Sequence, residues 1–356
     1  MRLLYFASFA LAFVISFLGT FLILRIAVRK RILDIPDSER RFHKQATPTL
    51  GGIAVFGSFF LVTLGVGIFG RHLLNGNIPI RQIFALWSGG AILMIGGYLD
   101  DRYRMTAKYS VVFPILASLV IVLSGISAVS VHNPFTGSTI LLDNLKLFGL
   151  PLVSGVVVFF WTMTMTYTTK LLDGLDGLVT GISAIAALIL FGLSLTPQVM
   201  QPQTALLAVT FAGSLFGFLI LNFYPAKIFL GEGGSTFAGF MLAVLAIVSG
   251  GKIATALLVM GIPLLDMAWV ILQRLVSGQS PFIGDRKHLH FKLSEIGLSE
   301  PQAVILLYAL TAIFGVSALF LQSRGKLIAL IILILVMLAI ITSIYNVYRQ
   351  KRSREP

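Results

Sequence analysis

Residues 148–196 read FGLPLVSGVVVFFWTMTMTYTTKLLDGLDGLVTGISAIAALILFGLSLT. Two apolar runs, each about the length of a membrane span, flank a short polar island, Lys170-Leu-Leu-Asp173-Gly-Leu-Asp176-Gly-Leu178. An aspartate at mid-span costs roughly 2.5–3.5 kcal/mol on insertion scales. Two of them beside such runs therefore mark a bilayer boundary that carries function. The adjoining glycines let backbone approach a ligand closely. Paired acids at that spacing suit a phosphate, a metal or a nucleotide.

Working outward, the same alternation covers the chain. Of its 356 residues 57% are hydrophobic and only 12% are charged, whereas a soluble domain carries about 25% charged residues. This predicts an all-α polytopic membrane protein, a single transmembrane domain over residues 1–356. Eleven spans are expected near 3–28, 49–70, 82–99, 109–130, 148–169, 177–196, 203–222, 234–250, 252–273, 301–322 and 326–347. The first run, Leu3 to Val28, is too long for a cleaved signal and is followed at once by Arg29-Lys30-Arg31, so it reads as a span with its N-terminus outside. Residues 131–147 contain turn signals and a short alternating run, Ser138 to Asp143, that predict a small β-hairpin in an outer loop. No internal repeat is visible, so the inverted-repeat signature of many transporters is missing.

With that topology, nineteen of the 27 lysines and arginines fall on the inner side, seven on the outer side, and Arg25 within a span. The positive-inside rule supports this orientation, with the C-terminus cytoplasmic. The rule also accounts for the net charge of +13, so nucleic acid is not expected as a partner. The absence of cysteine excludes disulfides, zinc–thiolate sites and iron–sulfur clusters.

Five polar islands then face the cytoplasm, near 29–48, 100–108, 170–176, 223–233 and 274–300. The first holds Arg40, Arg41, His43 and Lys44 before Pro48-Thr-Leu-Gly51-Gly52. It is either an ordinary basic loop or a phosphate-contacting arm, with Lys44 as its point charge and Gly51-Gly52 permitting close backbone approach. The second ends the third span with Asp100-Asp101. Adjacent acids at a helix C-terminus oppose both each other and the macrodipole, so a bound cation or a shared proton is expected there. In the third, Asp176 alone reads as a helix cap, which leaves Asp173 unexplained. The fourth, Asn222 to Ser235, carries Gly231-Glu232-Gly233-Gly234, with Ser235 as a candidate N-cap. The fifth, Asp285-Arg286-Lys287-His288-Leu-His290, is a cationic cluster suited to a diphosphate or to sugar hydroxyls, or a basic helix lying on anionic lipid. Asp266 lies inside the ninth span as a functional acid or a structural acceptor.

Taken in order, these motifs resemble those of the polyprenyl-phosphate N-acetylhexosamine-1-phosphate transferases over nearly the whole chain. The His288-Leu-His290 loop is most similar to the N-acetylglucosamine branch. The resemblance implies a reaction: a polyprenyl (undecaprenyl) phosphate attacks the β-phosphorus of a UDP-N-acetylhexosamine. UMP leaves, Mg²⁺ or Mn²⁺ assists, and cell-envelope polysaccharide synthesis begins at the bacterial inner membrane. By position, Asp100 and Asp101 resemble the base or metal-proximal pair and Glu232 the metal ligand. Asp173 and Asp176 resemble nucleotide-site acids, Lys44 a phosphate contact, and Arg286, His288 and His290 the diphosphate–sugar loop. Membrane lipid is the surrounding partner, and pairing as a homodimer is left open.

The chain departs from the family pattern at four positions. Tyr167 and Lys170 stand where asparagines are usual, Glu232 where aspartate is usual, and Phe291 where a second histidine is usual. Lys170 brings a cation toward the expected metal, and pairing with Glu232 or Asp173 would let it take over part of the metal's charge role. Two alternatives stay open within the resemblance. One is a different UDP-sugar, and the other is a homologue that binds lipid phosphate or nucleotide sugar without turnover. A transporter would spread its acids through the membrane depth, and here they gather on one side.

Overall fold

The structure, a computed structural model, describes residues 1–35, 46–70, 78–127, 130–132, 139–142, 145–147, 150–249, 253–279 and 288–352. Helices α1 (Arg2–Arg29), α2 (Gly51–Gly70), α3 (Ile80–Tyr103), α4 (Ala107–Ser110), α5 (Val112–Leu123), α6 (Leu152–Leu172) and α7 (Leu178–Ser194) form the first part of the bundle. They are followed by α8 (Pro202–Asn222), α9 (Gly231–Val248), α10 (Ile253–Val259), α11 (Gly261–Val276), α12 (Leu289–Glu295), α13 (Glu300–Phe320) and α14 (Ser323–Arg352). The chain is thus an all-α polytopic membrane protein.

Helical segments occur at every predicted span position, but they are not equally long. Among the described residues eight helices are long and apolar enough to cross a membrane, and a bent pair makes a ninth. The two shorter segments are α7 and the α4–α5 stretch, residues 107–123. Seventeen residues of α-helix reach about 26 Å, short of the roughly 30 Å hydrocarbon core. The predicted fourth span ran to residue 130, but α5 ends at Leu123 and the chain turns at Gly125, whose φ is +78°.

The predicted ninth span is not one helix. Helices α10 and α11 meet at Met260 with a bend of 78°. Pro263 explains the break: it has no N–H, and its ring would clash with the carbonyl four residues back, at Val259, in a continuous helix. The chain therefore ends one helix at Val259 and places the proline in the first turn of the next.

Helices α8 and α9 form the centre of the bundle, with 83% of each apolar window buried, whereas α1 and α14 show only 22%. The centre is held by edge-to-face aromatic pairs, Phe59–Phe211 at 6.1 Å and Phe211–Phe237 at 5.7 Å between ring centroids. Helix α1 lies directly on α8 at Gly213 and Gly217, where added methyls would sit 2.4 Å and 2.2 Å from the carbonyl oxygens of Phe9 and Phe13. This small-residue spacing is how membrane helices approach without a hydrophobic driving force.

Among the described residues three two-stranded ribbons complete the fold. The expected hairpin is present as β3 (Ser130–His132) against β4 (Thr139–Leu141), antiparallel, with Val131 opposite Ile140. The pair β5 (Lys146–Leu147) and β6 (Leu150–Pro151) follows it. Earlier in the chain, β1 (Leu33–Asp34) pairs with β2 (Thr47–Pro48) and closes the first polar island at its base.

Candidate active site

The islands converge at one end of the bundle on a cavity of about 1030 Å³. Its wall carries Asp100 and Asp101 from α3, Lys170 from α6, Asp173 and Asp176 from the α6–α7 turn, and Glu232 from the first turn of α9. Six of the ten residues singled out in the sequence therefore share one space. Lys44 and Arg286 lie outside the described residues.

Close helix packing brings the acids together. A methyl on Gly97 would lie 2.1 Å from the backbone nitrogen of Gly233, so α3 and α9 touch backbone to backbone. The next turn of α3 then sets Asp101 against Glu232, whose N–H donates to Asp101 Oδ1 at 3.4 Å. The other oxygen, Asp101 Oδ2, is buried without a hydrogen-bond partner.

Lys170 links the two helices. Its ammonium forms an ion pair with Glu232 Oε1 and donates to Ser110 Oγ at 3.4 Å. Ser110 in turn donates to Asp100 Oδ2 at 3.2 Å. The ammonium also sits 5.6 Å from the centre of the Tyr167 ring, within cation–π range. The two residues that depart from the family pattern on α6 thus contact each other, and one of them contacts the third departure, Glu232.

The Asp-Gly turn is fixed from several sides. Asp176 is not a cap of α7, whose N-cap is Gly177 with φ +76°. Instead its Oδ2 accepts from the Ala226 N–H at 2.8 Å, which ties the turn to the fourth island. Asp173 is open to the cavity, which Ser235 also lines. Enclosure by the surrounding protein, with the negative charges of Glu232, Asp176 and Asp34, pushes its carboxyl up to about 7.

Two sequence expectations change at α2 and α9. The amides of Gly51 and Gly52 donate to Phe229 O at 3.0 Å and Leu230 O at 2.7 Å, so they join the first and fourth islands and are not offered to a phosphate. Ser235 is not an N-cap, because α9 already starts at Gly231 and the Ser235 hydroxyl bonds back to the Gly231 and Glu232 carbonyls.

The two histidines lie beside the cavity. Asp266, on α11, accepts from the Leu289 N–H at 2.7 Å, and its Oδ2 is 2.9 Å from His288 Nδ1. It acts as a structural acceptor that holds the start of α12. His290 stacks on His288, packs its Nε2 edge against Gly174 of the Asp-Gly turn, and is buried with both ring nitrogens unpartnered. Burial holds its imidazole down to about 4, with His288 adding to the effect and Asp266 opposing it. Phe291, the next residue, lines the cavity.

Sequence reasoning did not single out Arg104, Ser110 or Glu300, all of which touch this network or line the cavity. None belongs to a motif, and only tertiary packing reveals them. Among the described residues the wall carries seven carboxylates (Asp34, Asp100, Asp101, Asp173, Asp176, Glu232, Glu300) against two cations, Lys170 and Arg104. Such a surface demands positive charge before an anionic substrate can enter. The resemblance places a divalent ion on Glu232, but that carboxylate is taken by Lys170. Among the described residues no group of three or more Asp, Glu and His side chains is arranged to hold a metal. The donor set at Glu232 therefore does not fit a divalent ion there.

Residues 83–250 match the sequence profile described as glycosyl transferase family 4. The chain is 29% identical over 323 residues to a probable undecaprenyl-phosphate N-acetylglucosaminyl 1-phosphate transferase of Bacillus subtilis (strain 168), covering 88% of this chain and 84% of that one. It is 30% identical over 348 residues to the decaprenyl-phosphate N-acetylglucosaminephosphotransferase of Mycobacterium tuberculosis (strain ATCC 25618 / H37Rv), covering 88% and 82%. It is 27% identical over 325 residues to the undecaprenyl-phosphate alpha-N-acetylglucosaminyl 1-phosphate transferase of Escherichia coli (strain K12), covering 86% and 82%.

Proposed function

The chain belongs to glycosyl transferase family 4, and from that premise we propose that it transfers N-acetylglucosamine 1-phosphate from its UDP donor to a polyprenyl phosphate. The names of its relatives support the acceptor and the group transferred. The UDP donor rests on the resemblance of the Asp173-Gly-Leu-Asp176 turn to the nucleotide-site motif of the family. The excess of basic residues on one side supports a cytoplasmic site in the bacterial inner membrane, where a nucleotide sugar is available and the product begins an envelope polysaccharide.

In this reading an oxygen of the lipid phosphate forms a bond to the β-phosphorus, and the bond from that phosphorus to the bridging oxygen breaks. The electron pair of that bond leaves on UMP. Asp100, oriented by Ser110, accepts the proton of the lipid phosphate as a general base. Asp173, with Asp176 anchored by the Ala226 amide, shapes the nucleotide side. Lys170 offers positive charge to the diphosphate.

The observation that carries this reading is the convergence of Asp100, Asp101, Lys170, Asp173, Asp176 and Glu232, drawn from three helices and a turn, on one cavity at the bundle end. The test is mass spectrometry of lipids after incubating purified protein with UDP-N-acetylglucosamine and undecaprenyl phosphate. Undecaprenyl-diphospho-N-acetylglucosamine is expected, with Asp100→Asn lowering its rate roughly 100-fold or more. Absence of any sugar-bearing lipid with a panel of UDP-N-acetylhexosamines would overturn the reading.

A further inference from the structure

We infer that Lys170 is the resident cation of this site: its ammonium holds the place beside Glu232 that a divalent ion would need, so Glu232 is a lysine counter-ion and not a metal ligand. The ion pair stands on geometry alone, and only its use toward a diphosphate rests on the proposed reaction.

Three observations carry it. The Lys170 ammonium is in direct contact with Glu232 Oε1, and both side chains are largely buried, with 25% and 19% exposure. Buried, hydrogen-bonded ion pairs of this kind are costly to break from one side, because the remaining charge is left uncompensated. The ammonium is also committed to the opposite wall, through Ser110 Oγ at 3.4 Å and on to Asp100 Oδ2 at 3.2 Å. It therefore bridges α9 to the acidic end of α3 through Ser110. An ammonium carries three N–H donors. Glu232 and Ser110 take two, and Lys170 lines the cavity. A divalent ion on Glu232 would have to sit beside this fixed positive charge, a strongly repulsive arrangement at such short range.

The residue types fit this assignment. Glutamate reaches one methylene further than aspartate, which lets a side chain from the first turn of α9 meet Lys170 on α6. Mg²⁺ demands near-ideal octahedral geometry and usually keeps several waters, whereas an ammonium tolerates the irregular pair of partners present here.

The test is Mn²⁺ binding to the purified full-length protein, read by electron paramagnetic resonance without nucleotide or lipid, so failure of the transfer reaction leaves this readout intact. Glu232→Gln in the otherwise unchanged protein is expected to leave Mn²⁺ affinity within about twofold, because lysine and not metal holds that carboxylate. Lys170→Asn is expected to raise Mn²⁺ affinity at least about tenfold by removing the repelling charge. Adding Glu232→Gln to Lys170→Asn removes that gain, and Lys170→Arg retains the parent behaviour. The inference is overturned if Glu232→Gln alone weakens Mn²⁺ binding tenfold, or if Lys170→Asn gives no gain while remaining folded by thermal unfolding.

Discussion

Asp266 and His288 meet across the α11–α12 junction, with Oδ2 2.9 Å from Nδ1, while the second oxygen of the same carboxylate accepts the Leu289 N–H at 2.7 Å. One buried carboxylate thus sets the start of α12 and the orientation of the first loop histidine. His290 stacks on that ring and rests against Gly174, so a residue on α11 positions the Asp-Gly turn through two imidazoles.

Asp266→Ala leaves the Leu289 amide and the His288 ring without their acceptor. A loss of roughly 2–4 kcal/mol is expected, since each orphaned buried group costs about 1–3 kcal/mol. Asp266→Asn keeps one oxygen for the Leu289 amide and should lose less. Thermal unfolding in detergent measures both, and equal stability of the alanine variant and the parent would contradict the role.

His290 gives stability a dependence on pH with a defined sign. Its imidazole is held down to about 4 in the folded protein, below the ordinary value of about 6.5. Between those values the unfolded chain binds the proton and the folded one does not. The contribution is therefore fully present above about pH 6.5 and is lost as pH falls toward 4. A pH series of unfolding midpoints should show this slope in the parent protein and a flatter one in His290→Phe.

Asp173 has the opposite behaviour. Its carboxyl is pushed up to about 7, so its contribution is present below the ordinary carboxylate range and is lost as pH rises through about 7. Asp173→Asn removes that titration. Unfolding midpoints of the variant should decline less than those of the parent between about pH 4 and 7, and the transfer reaction should be strongly impaired.

The contact of Gly97 with Gly233 predicts a steric effect. Gly97→Ala would place a methyl 2.1 Å from the Gly233 nitrogen, which only separation of α3 from α9 relieves. Overpacking of this kind typically costs about 1–3 kcal/mol, and the shift moves Asp100 and Asp101 away from Glu232. Transfer activity should fall by at least about tenfold. A variant with unchanged activity would show that the two helices need not touch.

Hydropathy alone made the membrane character and the positions of the helical segments legible, because every polar island interrupts a long apolar run. The break at Met260 was not legible, since apolar runs on both sides of Pro263 read equally well as one kinked helix. Six site residues were found as charges that a bilayer does not tolerate without cause. Ser110 and Glu300 were not, because serine and a helix-terminal glutamate are ordinary at such positions. Gly51 and Gly52 are expected from the sequence to permit close backbone approach in a phosphate-contacting arm, whereas their amides bond to other backbone. Their partners, Phe229 and Leu230, lie some 180 positions away in the chain, and no local signal reports that. Lys170 was visible as a departure from the family pattern, and the choice of Glu232 over Asp173 as its partner came only with the packing of α6 against α9.

The identity of the nucleotide released tests the central claim most directly. Transfer of a sugar 1-phosphate breaks the bond from the β-phosphorus to the bridging oxygen and must release UMP, whereas transfer of the sugar alone breaks the bond to the anomeric carbon and releases UDP. Chromatography of the nucleotides formed from UDP-N-acetylglucosamine should show UMP, dependent on added polyprenyl phosphate and lost in Asp100→Asn. Release of UDP, or of UMP that persists without the lipid phosphate, would contradict the account.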